Sequence, residues 1–393
     1  MKGQKNVALV HDWLVSMRGG EKVLELLCEL FPRATLFTLV HRAGRLSPTI
    51  ETMNIQTSFL QKLPFAKTKY QYYLPLFPSA IEKLDLSGYD LVISSSHAVA
   101  KGVRVREDAL HICYCHTPMR YIWDQYEQYF GGERRNKPAS LVMKIFLKSL
   151  REWDIESSKR VHHFIANSQH VRERIMRRYG RESVVIYPPV DVERFHLSEK
   201  NEGYYLIVSA LVPYKQVDVA IKAFNQIGKR LVIIGTGGEE RRLRSMAKQN
   251  IEFHGWVDDR RLARYYAGCK AVVFPGEEDF GIVPVEAMAC GKPVIALAAG
   301  GALETVVEGV TGLFFEKGLL NESPESARTK ETRILKKALK AMDLAETIEH
   351  FETMHFQPEK IREHAMKFNR AVCKERLTNY LLEKMKEKWL NYD

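Results

Sequence analysis

Val273-Phe-Pro-Gly-Glu-Glu-Asp-Phe-Gly-Ile-Val-Pro-Val-Glu-Ala-Met-Ala-Cys-Gly-Lys-Pro-Val-Ile-Ala296 is the stretch whose reading decides the fold. The apolar run Ala271 to Phe274 has the length of a buried parallel strand. An acidic loop follows, Glu277-Glu278-Asp279, and then Phe280-Gly281. A helix is expected from about Val283, with Pro284 in its first turn and Gly291 and Pro293 ending it. Val294 to Leu297 reads as the next strand. The loop thus joins a strand's carboxyl end to a helix's amino end, which is where open α/β sheets bind ligands. Free N–H groups at Gly281, Ile282 and Val283 can hold an anion. Glu278 and Glu286, the latter about one turn into the helix, can face the same ligand from two sides. Carboxylates beside an anion site suit a phosphate that carries hydroxyls, because they accept from hydroxyls while amides donate to phosphate oxygens. That chemistry describes a sugar nucleotide. A solvated acidic loop before a dipole-compatible glutamate is the plain alternative.

Outward from this stretch, the second half alternates strand and helix. Strands are expected at Tyr205–Ser209, Leu231–Ile234, Ile251–Phe253 and near Leu313–Phe315, with helices at Val217–Gln226, Glu239–Gln249 and Asp259–Ala267. Such alternation builds a parallel sheet covered on both faces. Lys215, in the loop after the first of these strands, can neutralise a diphosphate. Gly235-Thr-Gly237 lacks dinucleotide-fingerprint spacing and reads as a turn leaving room for a base or ribose.

The first half repeats the theme. Strands are expected at Val7–Val10, Thr35–Val40, Leu91–Ser94, Ala109–Tyr114, Val161–Ala166 and Val184–Ile186, with helices at Glu21–Leu30 and Gln169–Tyr179, the latter capped by Ser168. Gly19 and Gly20 stand at a helix start after the first strand, where small residues admit a phosphate or only a tight turn. Ser94-Ser-Ser-His97 reads as a polar loop. His116, at a strand's carboxyl end and followed by Thr117-Pro118, is well placed for a site or for a structural hydrogen bond. Arg120, Tyr121, Trp123 and Asp124 follow on a helix. Phe59 to Phe77 interleaves aromatic and basic residues, as either a membrane-interface segment or a core-packed helical hairpin. Lys144, Lys148 and Arg151, on a helix over Ala139–Ser158 preceded by the basic stretch Glu133–Lys137, form a second basic face. The Pro-punctuated, aperiodic run Tyr187–Gly203 marks a linker.

At 393 residues the chain is long enough for two domains. Its formal charge of +11 fits anionic membranes or phosphorylated substrates. Nucleic acid is not expected, since no zinc-finger or RNP motif occurs. No apolar run reaches 18 residues, and the N-terminus is too short for a signal peptide, so a cytoplasmic protein is expected. The six scattered cysteines read as reduced core thiols, and His111-Ile-Cys-Tyr-Cys-His116 lacks a second ligand pair for zinc. No Asp-x-Asp occurs, and no metal is expected.

Glu278-x7-Glu286, Phe280-Gly281 and Glu286-Ala-Met-Ala-x-Gly-x-Pro-Val resemble the signature of the retaining family 4 glycosyltransferases of GT-B fold. Leu211-Val-Pro-Tyr-Lys215, Ile234-Gly-Thr-Gly237, His254-Gly-Trp-Val257, Phe274-Pro275 and Gly300-Gly-x-x-Glu304 occur in the matching order. His11-Asp-Trp, Gly19-Gly20-Glu21 and Cys115-His-Thr-Pro-Met-Arg-Tyr-x-Trp-Asp124 resemble the O-antigen type mannosyltransferases within it. The resemblance implies two Rossmann-like doubly wound α/β domains facing a cleft. Residues 1–190 would bind the acceptor and 191–365 the donor, while 366–393, with its apolar stripe, would return to the first domain as a C-terminal helix.

It further implies that His116 and Glu278 are catalytic. Gly19, Gly20, Lys215, Gly235, Phe280, Gly281, Ile282, Val283 and Glu286 would bind the donor, with Glu286 on the ribose. His11, Trp13, Arg120 and Trp123 fall on the acceptor side. The chain departs from the family at Ala210, where an Arg is usual five positions before Lys215; Arg18 or Arg120 would have to substitute. The expected reaction is retaining, metal-independent hexosyl transfer. The donor is GDP-mannose by preference and a UDP-sugar otherwise; the acceptor is a glycan, lipid-linked in cell-surface polysaccharide synthesis, with peripheral contact to an anionic membrane. A nucleotide-sugar epimerase and a binding protein without turnover are the alternatives.

Overall fold

The computed structural model describes residues 5–123, 138–316 and 342–389, with the backbone alone at 138–145. The chain divides into two units, Met1–Pro189 with Arg370–Asp393, and Val190–Asn369. Asp124, the 133–137 stretch, the Lys144 side chain and the charged segment around Arg328–Lys337 lie outside what is described.

Seven strands are described in the first unit: β1 (Val7–His11), β2 (Thr35–Thr38), β3 (Asn54–Thr57), β4 (Leu91–Ser96), β5 (Leu110–Cys115), β6 (His163–Ala166) and β7 (Ser183–Val185). They pair in the order β3-β2-β1-β4-β5-β6-β7, parallel throughout. Branched and aromatic side chains such as Val10, Phe37 and Val92 fill one face, and Leu9, Leu36 and Ile93 the other. A sheet buried on both faces explains why its strands read as unbroken apolar runs. The C-terminal helix Arg370–Trp389 completes the second layer with Cys373, Leu377 and Leu381. Arg370 pins it to Glu25 and Glu29 of the helix Gly19–Leu30.

Six strands are described in the second unit: β8 (Tyr205–Val208), β9 (Leu231–Ile234), β10 (Ile251–Gly255), β11 (Ala271–Phe274), β12 (Val294–Leu297) and β13 (Gly312–Phe315). Their order is β10-β9-β8-β11-β12-β13, again parallel. In each sheet the chain begins centrally, winds outward one way, then returns to wind the other. The reversal lies between β1 and β4 in the first unit and between β8 and β11 in the second.

Several expectations require correction. Strand β4 continues through Ser94-Ser-Ser96, because the serines keep their ladder bonds to β5 and are buried. Strand β3 was not foreseen; Asn54-Ile-Gln-Thr57 alternates exposed and half-buried residues on the sheet edge, which leaves little hydrophobic signal. The Phe59–Phe77 segment is a run of short turns, Phe59–Lys62, Ala66–Lys69 and Tyr70–Leu76, rather than a hairpin of two helices. Arg151 does not lie on an outward basic face, since its guanidinium donates to the Ile122 carbonyl (2.7 Å). All six cysteines are buried free thiols, and burial pushes Cys28, Cys290 and Cys373 up to about 12.

Candidate active site

In the second unit four loops meet at the carboxyl ends of β8, β9, β11 and β12, and glycines allow them to meet. A Cβ on Gly235 would stand 1.8 Å from the Ser209 carbonyl oxygen, and one on Gly237 2.2 Å from that of Leu211. At Gly276 it would lie 2.9 Å from the Lys215 Cα, and at Gly300 2.4 Å from the Glu278 carbonyl. The space beside Gly235 is therefore filled by the chain's own backbone. Gly301 N–H donates to the Glu278 carbonyl at 2.8 Å. This zipped floor holds Lys215, after β8, and Glu278, after β11, across the reversal of strand order, and they form a direct ion pair. Both are largely buried, 16% and 23% exposed, so the pair is shielded from salt and bulk water. Gln216, next to Lys215, adopts a left-handed backbone (φ 51°), rare for a non-glycine residue, and its Oε1 is buried without a partner.

The helix Ile282–Ala289 starts at the same place. Gly281 takes φ 90°, and no side chain caps the first turn. The first N–H groups of a helix have no partner within it, so this end carries donors and partial positive charge. Phe280 turns its ring inward against Phe368. Glu286 is 9% exposed, and its carboxylate accepts from the Tyr266 hydroxyl at 2.9 Å. Burial and the adjacent Glu286 charge raise the Tyr266 phenol well above its ordinary pKa, so it stays a donor. Tyr266 escaped the sequence reading because nothing in its helix spacing separates a site-facing tyrosine from a core one.

In the first unit a second cluster sits at the corresponding reversal, between β1 and β4. His11 Nδ1 is 3.1 Å from Ser95 Oγ, which is 2.8 Å from His116 Nε2. One hydroxyl can donate to one ring while accepting from the other, so Ser95 couples the proton positions of both imidazoles. Glu21 lies 3.7 Å from His11 Nε2 and caps its own helix by accepting from Arg18 N–H at 3.0 Å. Burial favours the neutral Glu21 carboxyl, but His11, the His97 ring and a backbone N–H together outweigh it and hold the pKa below the usual value. Asp12 is fully buried and accepts from four consecutive N–H groups, His97 to Ala100, at 2.6–3.0 Å. Burial lowers the His97 imidazole against the pull of Asp12, so it favours the neutral form. Gly20 faces His11 and His116, 3.6 Å from a built Cβ, and Gly19 opens the same helix.

Trp13 packs edge-on against His97 at 4.5 Å. Trp123 is committed to structure, its indole N–H donating to Asp154, which is itself paired with the buried Lys101. Arg120 begins the helical stretch described as Arg120–Trp123. Asp12, Ser95 and His97 were not named as candidates; their traces were the His11-Asp-Trp motif, which holds Asp12, and the polar run Ser94–His97 after an apolar strand. Among the described residues no group of three or more His, Cys, Asp or Glu side chains could hold a metal ion. None of the described helices is long and apolar enough to cross a membrane.

Residues 17–194 match the family model "Glycosyltransferase Family 4", and residues 191–368 match "Glycosyl transferases group 1". An O-antigen chain mannosyltransferase of Salmonella typhimurium is 29% identical over 170 residues, 40% of this chain and 47% of that protein. A GDP-mannose-dependent monoacylated alpha-(1-6)-phosphatidylinositol monomannoside mannosyltransferase of Corynebacterium glutamicum is 38% identical over 124 residues, 28% of this chain and 32% of that protein. The chain thus spans less than half the length of either relative. The crystal structure of Anabaena HepE in complex with UDP-glucose has a TM-score of 0.65 at 19% identity, covering 97% of this chain and all of that one, and shares its fold.

Proposed function

We propose, for a chain that belongs to the family 4 glycosyltransferases of GT-B fold, that it moves a mannosyl group from GDP-mannose to a glycan acceptor, with retention and without a metal. The observation that carries this reading is the Lys215–Glu278 pair, set across the strand reversal beside the uncapped end of the helix Ile282–Ala289. A nucleoside diphosphate needs fixed positive charge and N–H donors, and its sugars need acceptors. Lys215 and the N–H groups of Gly281, Ile282 and Val283 would take the diphosphate. Glu278 would accept from hydroxyls of the transferred sugar, and Glu286 from the ribose, held in place by Tyr266. Gly235 would keep the adjoining floor low.

The chemistry requires charge to leave with the diphosphate. Donors aimed at that charge stabilise the transition state where water is excluded. Lys215, released from Glu278 by the arriving donor, would supply one such charge, and the N–H groups of Gly19 and Gly20 would offer further donors. Among the described residues no carboxylate is placed as an obvious base, which suits attack on the same face with the departing phosphate taking the acceptor's proton. His116, linked through Ser95 to His11, would contact the transferred sugar. Trp13 and Arg120 would shape the acceptor side, with Trp123 holding the helix that carries Arg120. With Ala210 where an Arg is usual, Arg18 or Arg120 would complete the phosphate charge.

Mannose and a lipid-linked acceptor in cell-surface polysaccharide synthesis are supported by the mannosyltransferase relatives, one of them acting on a phosphatidylinositol mannoside. A UDP-sugar donor is the second reading, favoured by the fold shared with a protein crystallised with UDP-glucose. The test is incubation of the full chain with labelled GDP-mannose or UDP-glucose, chelator present, and bacterial lipid extract. Label transferred from GDP-mannose to lipid supports the proposal. Release of free sugar or an epimerised nucleotide sugar instead contradicts it.

A further inference from the structure

From Thr52 to Ile81 the chain carries three lysines and not one acidic residue. In a protein where a quarter of residues are charged, that run of single sign is local and specific. Its turns present Phe65 and Tyr72, 72% and 77% exposed, flanked by Phe59 and Leu76. Lys62, Lys67 and Lys69 are exposed among them, and the Lys69 ammonium lies 5.7 Å and 6.0 Å from the Phe65 and Tyr72 ring centres.

Phe65 is displayed at a cost. Its backbone is left-handed (φ 56°), one of only two such non-glycine residues described. For a bulky residue that conformation is a genuine outlier, and outliers persist where the surroundings or a function hold them. The surroundings do hold it: Lys69 N–H and the Thr68 hydroxyl both bond the Phe65 carbonyl, at 2.7 and 3.2 Å. Tyr73 ties down the neighbouring Pro64 carbonyl at 2.7 Å. Below, Leu60, Ala66 and Phe77 are anchored in the core of the first unit. The result is a rigid platform that holds aromatic rings and ammonium groups outward.

We infer that this platform docks the protein on an anionic bilayer. Aromatic rings favour the headgroup boundary, and lysines there are drawn to lipid phosphates. The platform is continuous with the candidate acceptor cluster: Tyr70 packs on Trp13 at 4.9 Å, and Trp13 on His97. A lipid-linked acceptor would therefore reach His11 and His116 from the surface on which the rings rest. The inference rests on the lipid-linked acceptor proposed above.

The test is co-sedimentation of the full chain with phosphatidylcholine vesicles, with and without phosphatidylglycerol, at two salt concentrations. The wild type partitions to the anionic vesicles, less at high salt. Each lysine is worth about fivefold in partitioning, so the triple change Lys62→Gln, Lys67→Gln and Lys69→Gln lowers it about 100-fold. Phe65→Gly removes the ring and relieves the backbone, so vesicle binding weakens while the unfolding midpoint does not fall. Lys148→Gln, on a different helix, leaves binding unchanged. A wild-type chain that ignores anionic vesicles, or variants that bind as it does, overturns the inference and leaves the patch to a protein partner. Nucleotide-induced thermal shifts on the same variants separate the two readings. Patch-dependent binding with no response to any nucleotide sugar would sink the donor reading and spare the surface; a full nucleotide response without patch-dependent binding would do the reverse.

Discussion

The Lys215 ammonium and the Glu278 carboxylate pair across the strand reversal of the second sheet, joining the loop after β8 to the loop after β11. Each group neutralises the other before any ligand arrives. A ligand with both phosphate and hydroxyl groups can replace that pairing without leaving either charge unmatched.

Lys215→Met should therefore impair turnover far more than folding. Loss of a preorganised charge at the leaving diphosphate lowers kcat by about 100- to 1,000-fold. Glu278→Gln should cost about 100-fold through lost sugar contacts, and the double variant should lose much less than the product of the two. A steady-state cycle on the four proteins checks this; full additivity would contradict a shared ligand.

Tyr266→Phe should weaken donor binding about tenfold and cost about 1–2 kcal/mol of stability, because a buried Glu286 carboxylate loses its hydroxyl donor. Titration calorimetry and urea unfolding on the same protein measure both effects. Unchanged donor affinity would remove Tyr266 from the site.

Gly235→Ala should be among the most damaging single changes. The added methyl would overlap the Ser209 carbonyl at 1.8 Å, on a backbone at φ 134°. A loss of more than about 3 kcal/mol is expected, since strain and overpacking act together. Gly228→Ala is the control: φ is 71° but nothing lies within 4 Å, so the cost stays near 1 kcal/mol. Urea midpoints decide between them.

The contrast between these glycines shows what the sequence made legible. Strands such as β9, β11 and β12 were readable residue for residue, because a strand buried on both faces is a plain apolar run between turn residues. The glycine-started helix and the Glu278–Glu286 spacing were legible for the same reason, being local. The Lys215–Glu278 contact, the Ser95–His11 leg of the bridge to His116, and the four N–H groups on Asp12 join residues 63 to 88 positions apart. Such contacts depend on strand order, which periodicity does not encode. Edge strand β3 was invisible because it buries too little to require a pattern.

Stability should fall with acid, beginning below the ordinary histidine pKa. His111 is fully buried, and burial depresses it to about 3; His97 is depressed in the same direction. Both are neutral in the folded chain, while the unfolded chain binds protons below pH 6.5. Their contribution is therefore complete above that pH and is lost as pH falls towards the folded values. Glu21, also depressed, adds a loss of the same sign below pH 4.5. Urea midpoints should hold level from pH 7.5 to about 6.5 and decline from there to pH 4, and His111→Gln, which keeps a partner for Ser94, should flatten the slope. A flat wild-type profile would contradict the buried neutral imidazole.

The most direct measurement is a thermal-shift panel of nucleotides and nucleotide sugars, in chelator, on wild type and Glu286→Gln. Ligand at 100 times its Kd stabilises the folded state by about 2.7 kcal/mol, a rise of roughly 5–10 °C for units of this size. GDP and GDP-mannose should raise the Tm of the wild type by that order, and of Glu286→Gln by much less. A response to UDP-sugars alone would reassign the donor. No response to any nucleotide would contradict the donor site itself.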